Sequence, residues 1–447
     1  MADEDKLKPA HLAAARGLLA FIGASPTPYH AVAEAVRRLR DHNFQPLDER
    51  EDWSLRPGQG CYLVRGAGTL IALRVGTAPP SESGFVLVGA HTDSPGLRLK
   101  PTPDLEAAGY RQLGVQVYGS PLLSTWLDRD LSLAGRVSVA GGASHLVDFQ
   151  QPICRIPSLA VHLNRGVNKN GLTLNAQDHL VPALGLSRPT DSPFAELVAE
   201  RLGQAGTAEV TAGEILGFDL CLYDVQPGAL GGLHDELLSA SRLDNLVGCY
   251  SCLTALLDSA ARRATQVCVL YDHEEVGSRT ASGAQSRLLT SVLERAVAAT
   301  GEASVQAVPR ALARSLLVSV DMAHAVHPNY PEKHDKQHQP RLGAGPVVKV
   351  HANQSYATDG PAAAAFTEAC QAAGFTPQRY VSRNDLPCGS TIGPVSAART
   401  AIRTVDVGNP MLAMHSCREV AGTRDVSLMI AALTQLLSSG SRPDPAS

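Results

Sequence analysis

No apolar run in the chain is long enough to span a bilayer, which excludes a helical membrane protein. The opening stretch, Met1-Ala-Asp-Glu-Asp-Lys6, is acidic and lacks the basic and apolar regions of a secretion signal, so the expected location is the cytoplasm. No charge of one sign predominates. Lys and Arg total 39 against 43 Asp and Glu, a formal charge of -4, and this leaves no electrostatic reason to expect nucleic acid or an anionic membrane surface as partner. Small neutral substrates or peptides fit better. There is no internal repeat and no low-complexity tract of any length. A disulfide framework is also missing: the nine cysteines are odd in number, run from Cys61 to Cys417, and mostly sit in apolar segments where free thiols act as small hydrophobes. Cys249-Tyr-Ser-Cys252 has the spacing of a redox or zinc pair, but it falls inside an apparent helix over 245–259 with no second pair nearby, which favours core packing.

What is present is a 447-residue chain, 44% hydrophobic, with 39 Gly and 29 Pro, as expected of a soluble globular protein rich in turns. That length exceeds what one core usually fills, so two domains or a large insertion are expected. Two amphipathic helices open it, over 11–24 and 29–42, separated by the proline-rich Ser25-Pro-Thr-Pro28. Strands follow over 61–65 and 69–75, and then a continuous apolar run from Gly84 reaches Gly89-Ala-His91-Thr-Asp93. A strand apolar on both faces belongs at the centre of a parallel sheet, and ligand sites lie beyond the carboxyl ends of such strands. Short alternating segments such as Leu131 to Val139 then suggest a β-rich unit, after which helix and parallel-strand texture resumes. The predicted fold is therefore α/β, a mixed sheet flanked by helices, interrupted by an inserted β-rich domain. The expected boundaries are 1–98 and 236–437 for the two parts of the catalytic domain, 99–235 for the inserted domain, and 438–447 for a disordered Ser/Pro-rich tail.

Several segments place a His or a carboxylate just beyond an apolar run: His91 with Asp93, Glu274 with Glu275, Asp321, and His415; Asp244 adds another at a helix start. Singly, each has an ordinary explanation, since Asp244 can cap its helix and Asp321 can close a turn. Their repeated position on what would be one sheet edge argues for a shared site. Mixed His and carboxylate ligands suit zinc, manganese or cobalt, and the number of them suggests two ions with a bridging carboxylate and a bridging hydroxide. One glutamate of the pair Glu274-Glu275, left without a metal, could then carry the proton from water to a leaving amine. In His91-Thr-Asp93, residues two apart lie on one side if the strand continues, so Asp93 can fix the imidazole tautomer.

Together these motifs resemble the M18 metallopeptidases, the group of aspartyl aminopeptidase and its bacterial relatives. The resemblance spans nearly the whole chain. It rests on Gly89-Ala-His91-Thr-Asp93-Ser-Pro95, Ser241-Arg-Leu-Asp244-Asn245, Tyr271-Asp-His-Glu274-Glu275-Val-Gly-Ser278, the run from Ser319 through Asp321 to Tyr330, Arg383 to Gly393, and Met414-His415-Ser-Cys-Arg-Glu419. It implies that His91 and Asp321 hold one zinc, Glu275 and His415 the other, and that Asp244 bridges them. It further implies Glu274 as general base and Asp93 as the residue orienting His91, a zinc-peptidase-like catalytic domain, and assembly into a homododecamer through the inserted domain.

Three substrate-facing positions follow from the same resemblance. His162 matches a histidine that reaches a neighbouring subunit's active site, although a His on a β-strand is an equal reading. Lys349 resembles a contact to the substrate side chain and Tyr356 a contact to the tetrahedral oxyanion. A lysine in the pocket favours acidic side chains, while Asp359 supplies an acid that could offset it. His324, His327, His334 and His338 are expected in turns or interfaces, and 383–393 is expected to offer backbone groups to substrate. The implied activity is a dizinc aminopeptidase acting on the amino ends of peptides. The alternatives are a related two-metal deacylase or carboxypeptidase, and a non-catalytic assembly protein on the same fold.

Overall fold

The run Phe85–His91 forms a strand buried along its whole length, in a computed structural model that describes residues 7–207 and 209–439. The acidic opening stretch and most of the expected tail lie outside the described residues; Ser438 and Ser439 complete the last helix, Thr423–Ser439. Two compact units are present. The first comprises Met1–Asp93, Gly228–Met414 and Glu419–Ser447, and the second Ser94–Pro227 with His415–Arg418.

The first unit is built on a nine-stranded mixed sheet. At its centre Phe85–His91 lies between Thr265–Tyr271 and Leu316–Val320, parallel to both, and Leu316–Val320 in turn pairs in parallel with Arg403–Gly408. The all-apolar character of these strands follows from helices on both faces. Val86, Val88 and Ala90 point into a core shared with the helices Pro9–Gly23, Leu243–Asp258 and Thr423–Ser439. Phe85 and Leu87 point the other way, toward the helix Leu288–Ala299. A five-stranded sheet, to which Leu237–Ala240 and Glu419–Gly422 contribute, completes this unit. The α/β expectation holds. Four helices that the sequence pattern did not suggest are also present, among them Gly360–Ala372 and Ile392–Thr400.

The second unit is a six-stranded sheet whose pairings are all antiparallel, with the long strands Leu131–Val139 and Ile215–Asp224 side by side. Its sheet packs against the helix Phe194–Gln204 through Phe194, Val198 and Leu202.

Candidate metal centre

Parallel pairing brings the chemistry-bearing residues level. His91 stands opposite Tyr271 and Gly89 opposite Ser319, so Asp321, two residues on, reaches the height of His91. Just past Tyr271 the chain turns sharply. His273 adopts a left-handed conformation (φ 67°), Glu274–Val276 forms a single 3₁₀ turn, and Gly277 closes it at φ 91°, a conformation glycine adopts without strain. The glutamate pair thus sits on a tight turn at the sheet edge, half-buried, rather than on a continued strand.

His91 is 1% exposed. Its Nδ1 donates to the main-chain carbonyl of Asp93 at 2.9 Å, which fixes the ring orientation and turns Nε2 toward Asp244 Oδ1 at 3.4 Å and Asp321 Oδ1 at 3.6 Å. The thiol of Cys249 donates to the His91 carbonyl at 2.9 Å, tying the strand end to the helix behind it. The Asp93 carboxylate lies 3.4 Å from Nδ1 but finds its hydrogen bonds elsewhere: Oδ1 accepts the N–H of Glu274 and Oδ2 that of Glu275, each at 3.1 Å. This follows from the strand ending at His91, so that Asp93 lies on a loop facing the turn.

Asp244 lies in the first turn of the helix Leu243–Asp258, where it and Asn245 depart from helical geometry, and the side-chain cap there comes from the next residue. Asn245 Oδ1 accepts the Gly248 N–H at 3.1 Å, while its amide donates to the Val320 carbonyl at 2.7 Å and ties the helix start to the strand leading into Asp321. Only glycine fits at 248, because a Cβ there would collide with the Asn245 side chain and approach the Val320 carbonyl at 2.8 Å. The main-chain N–H of Asp244 donates to Glu419 Oε2 at 3.1 Å. One ligand atom from each of His91, Asp244 and Glu275 then lies within 4.8 Å of the others.

The electrostatics of the cluster are those of crowded, buried negative charge. Burial, reinforced by the Asp244 charge, pushes the Glu275 carboxyl well above its ordinary range. Burial pushes Glu274 up to about 7, with the His91 charge opposing and Asp321, Asp93 and Asp244 reinforcing. Burial opposes a charge on His91, but the Asp244, Asp321 and Asp93 carboxylates prevail and raise it. A divalent cation held by these residues would relieve all three at once, replacing the imidazole proton and neutralising the carboxylates. One oriented imidazole with several carboxylates is a donor set that fits zinc, manganese or cobalt.

His415 belongs to the second unit, where its Nδ1 donates to the Ser120 carbonyl at 3.0 Å. His162, in the same unit, is exposed on a short 3₁₀ turn, Val161–Leu163. Lys349 is buried in the first unit: Nζ donates to the Met322 carbonyl at 3.1 Å, lies 3.9 Å from Asp321 Oδ2, and sits 5.1 Å from the Tyr356 ring centre. Burial, with Cys388 next, raises the Tyr356 phenol, so its hydroxyl remains a donor. Asp359 does not offset Lys349; it is exposed and caps the helix Gly360–Ala372 by accepting the Ala362 N–H at 2.7 Å. His324 and His334 pack on the edge of the Tyr380 ring beside a cavity of ≈ 290 Å³ that Lys333, Arg383 and Met414 also line. The His338 ring contacts Asp335 in a local turn. Arg383 is committed to Asp385 and to the Glu332 carbonyl. Asn245 and Glu419 stand in the motifs quoted from the sequence without a role assigned to either, and Tyr380 is not singled out there. Only Asn245 carried a local signal, a capping residue type beside the Asp credited with that role.

Comparison with known proteins adds an independent line. The family model for aminopeptidase I zinc metalloproteases (M18) matches residues 21–436. A probable M18 family aminopeptidase 2 of Azotobacter vinelandii is 47% identical over 428 residues, covering 95% of this chain and 98% of the relative. Among solved structures, a chain of the Ape4 and Nbr1 complex superposes with a TM-score of 0.90 at 37% identity, covering 96% of this chain and 87% of that one. The mApe1 dodecamer of Saccharomyces cerevisiae gives 0.81 at 32% identity, covering 94% and 95%.

Proposed function

From the premise that the chain belongs to the M18 family of zinc metalloproteases and is a metallo-aminopeptidase, we propose that it cleaves the first residue from peptides at a two-zinc site with Glu274 as general base. The observation that carries this reading is the convergence of His91, Asp244 and Glu275 within 4.8 Å beside a glutamate whose carboxyl is pushed up to about 7. By the motif resemblance, His91 and Asp321 would hold one ion and Glu275 and His415 the other, with Asp244 shared; of these, His91, Asp244 and Glu275 are the three whose ligand atoms lie within 4.8 Å of one another. Zinc, when bound there, polarises the scissile carbonyl and makes water a better nucleophile at neutral pH.

The chain's own groups do the rest. Glu274 accepts the proton of the attacking water and passes it to the leaving amine, a role suited by burial, which makes its carboxylate more basic than an exposed glutamate. Asp93 holds the Glu274-Glu275 turn through two main-chain hydrogen bonds, and its carbonyl sets the ring orientation of His91. The Tyr356 hydroxyl, kept protonated by burial, donates to the developing oxyanion. By the motif resemblance Lys349 contacts the substrate side chain, where its positive charge would favour an acidic first residue, with Asp359 spent on its helix cap. By the same resemblance, His162 reaches the substrate of a neighbouring copy in a homo-oligomer assembled through the β-rich domain, 99–235; the mApe1 dodecamer of yeast supports an assembly of this kind. A cytoplasmic location agrees with the lack, among the described residues, of any helix long and apolar enough to cross a membrane.

A panel of amino-acid anilides and amine-blocked peptides, assayed with chelator and with zinc, manganese or cobalt restored, tests the reading. Metal-dependent release from free-amine substrates, fastest for Asp or Glu, is the expected result. Cleavage of the blocked peptides instead identifies a deacylase or carboxypeptidase.

A further inference from the structure

Asp406 is a fully buried carboxylate that the chemistry above leaves unused. It sits on the strand Arg403–Gly408 between Val405 and Val407, both core residues, where an apolar side chain would pack at less cost. Its oxygens are instead committed to two other chain segments. Oδ2 accepts the main-chain N–H of Ala357 at 2.6 Å, and Oδ1 accepts the hydroxyl of Thr391 at 2.6 Å. Both are at the short end of the range, as bonds to an ionised acceptor are. The main-chain N–H of Asp406 itself donates to Thr358 Oγ1 at 2.9 Å, so the residues immediately after Tyr356 are anchored twice. Thr391 ends the loop from Arg383 and accepts the Gly393 N–H at 3.3 Å, starting the helix Ile392–Thr400. At Gly393 the backbone presses directly on the carboxylate, and a Cβ there would collide with both oxygens. Burial raises the Asp406 carboxyl and the Lys349 charge draws it down, placing the two groups in one electrostatic neighbourhood.

We propose that Asp406 is a positioning residue of the aminopeptidase reaction, holding Tyr356 and the loop ending at Thr391 where they meet the substrate carbonyl. It acts through Tyr356, so the proposal rests on the reading of Tyr356 as the oxyanion donor. The anchor is stiff because each oxygen has its own donor and Gly393 blocks retreat.

The test is a double-mutant cycle of Asp406→Asn and Tyr356→Phe, reading kcat and KM on the best anilide, with zinc content and thermal melting measured for each protein. Tyr356→Phe is expected to lose ~10²-fold or more in kcat. Asp406→Asn is expected to lose roughly 10–100-fold in kcat, with KM and zinc content little changed. The double variant should fall no more than about threefold below Tyr356→Phe alone. Losses that multiply, or a wild-type kcat in Asp406→Asn, overturn the role of Asp406 while leaving Tyr356 in place. A wild-type kcat in Tyr356→Phe overturns the oxyanion assignment and this proposal with it. If Asp406→Asn does not fold, Thr391→Val, which removes one donor and keeps the charge, is read in the same cycle by the same criteria.

Discussion

The carboxylate of Asp93 accepts the main-chain N–H of Glu274 at 3.1 Å, bridging 181 residues of sequence. Its second oxygen accepts the N–H of Glu275 at the same distance, so one side chain holds the turn that carries both the proposed proton-transfer group and a proposed metal ligand. Because the Asp93 carbonyl also takes the His91 Nδ1 proton, this residue joins two sides of the site.

Replacing Asp93 by Asn puts an amide N–H against a main-chain N–H and breaks one of the pair. Activity and zinc affinity are both expected to fall, by roughly 10–100-fold each. Steady-state kinetics and chelator competition measure these, and wild-type values for both would remove Asp93 from the positioning role.

The pH profile follows from Glu274. Burial raises its carboxyl from the ordinary 4.5 to about 7, and a bound cation draws it back down. A base must be ionised to accept a proton, so kcat/KM should rise with pH through an acid limb whose midpoint lies between those values. A profile flat from pH 4.5 to 7 contradicts the assignment.

Much of this was legible in the sequence. Apolar runs ending at His91, Tyr271 and Val320 marked central parallel strands, because burial on both faces leaves no polar alternation, and the chemistry-bearing residues followed where such strands end. The glutamate turn and the cap at Asn245 were not legible. Asn245 is fixed by the Val320 carbonyl, 75 residues away, and Asp93 by the turn at 274–275, partners that no local pattern names. The helix Gly360–Ala372 was missed because its alanine-rich stretch has weak periodicity, although Asp359 before Gly360-Pro361 is a capping signal.

Gly248→Ala tests the helix start. The added methyl meets the Asn245 side chain and the Val320 carbonyl, so a loss of about 1–3 kcal/mol of stability is expected together with weaker zinc binding through displaced Asp244. Denaturant melts with and without metal measure both, and an unperturbed protein would show that the contact is not tight.

Asp425 provides a pH test remote from catalysis. It is buried at the start of the last helix, accepts the N–H groups of Gly343 and Gly345 at 2.8 and 2.7 Å, and burial pushes its carboxyl from 3.8 to about 7. With the folded value raised, its contribution to stability is full below the unfolded value and is lost as pH rises through 7. The melting temperature of the wild type relative to Asp425→Asn should therefore decline between pH 4 and 7. A difference that stays constant or grows over that window contradicts it.

The most direct test of the central claim is turnover and zinc content measured on the same preparation of Glu274→Gln. The substitution keeps the shape and the main-chain bond to Asp93 but cannot accept a proton, so the account predicts two zinc ions per chain and a kcat lowered by ~10²–10⁴-fold. A metal-replete variant that turns over near the wild-type rate would contradict it.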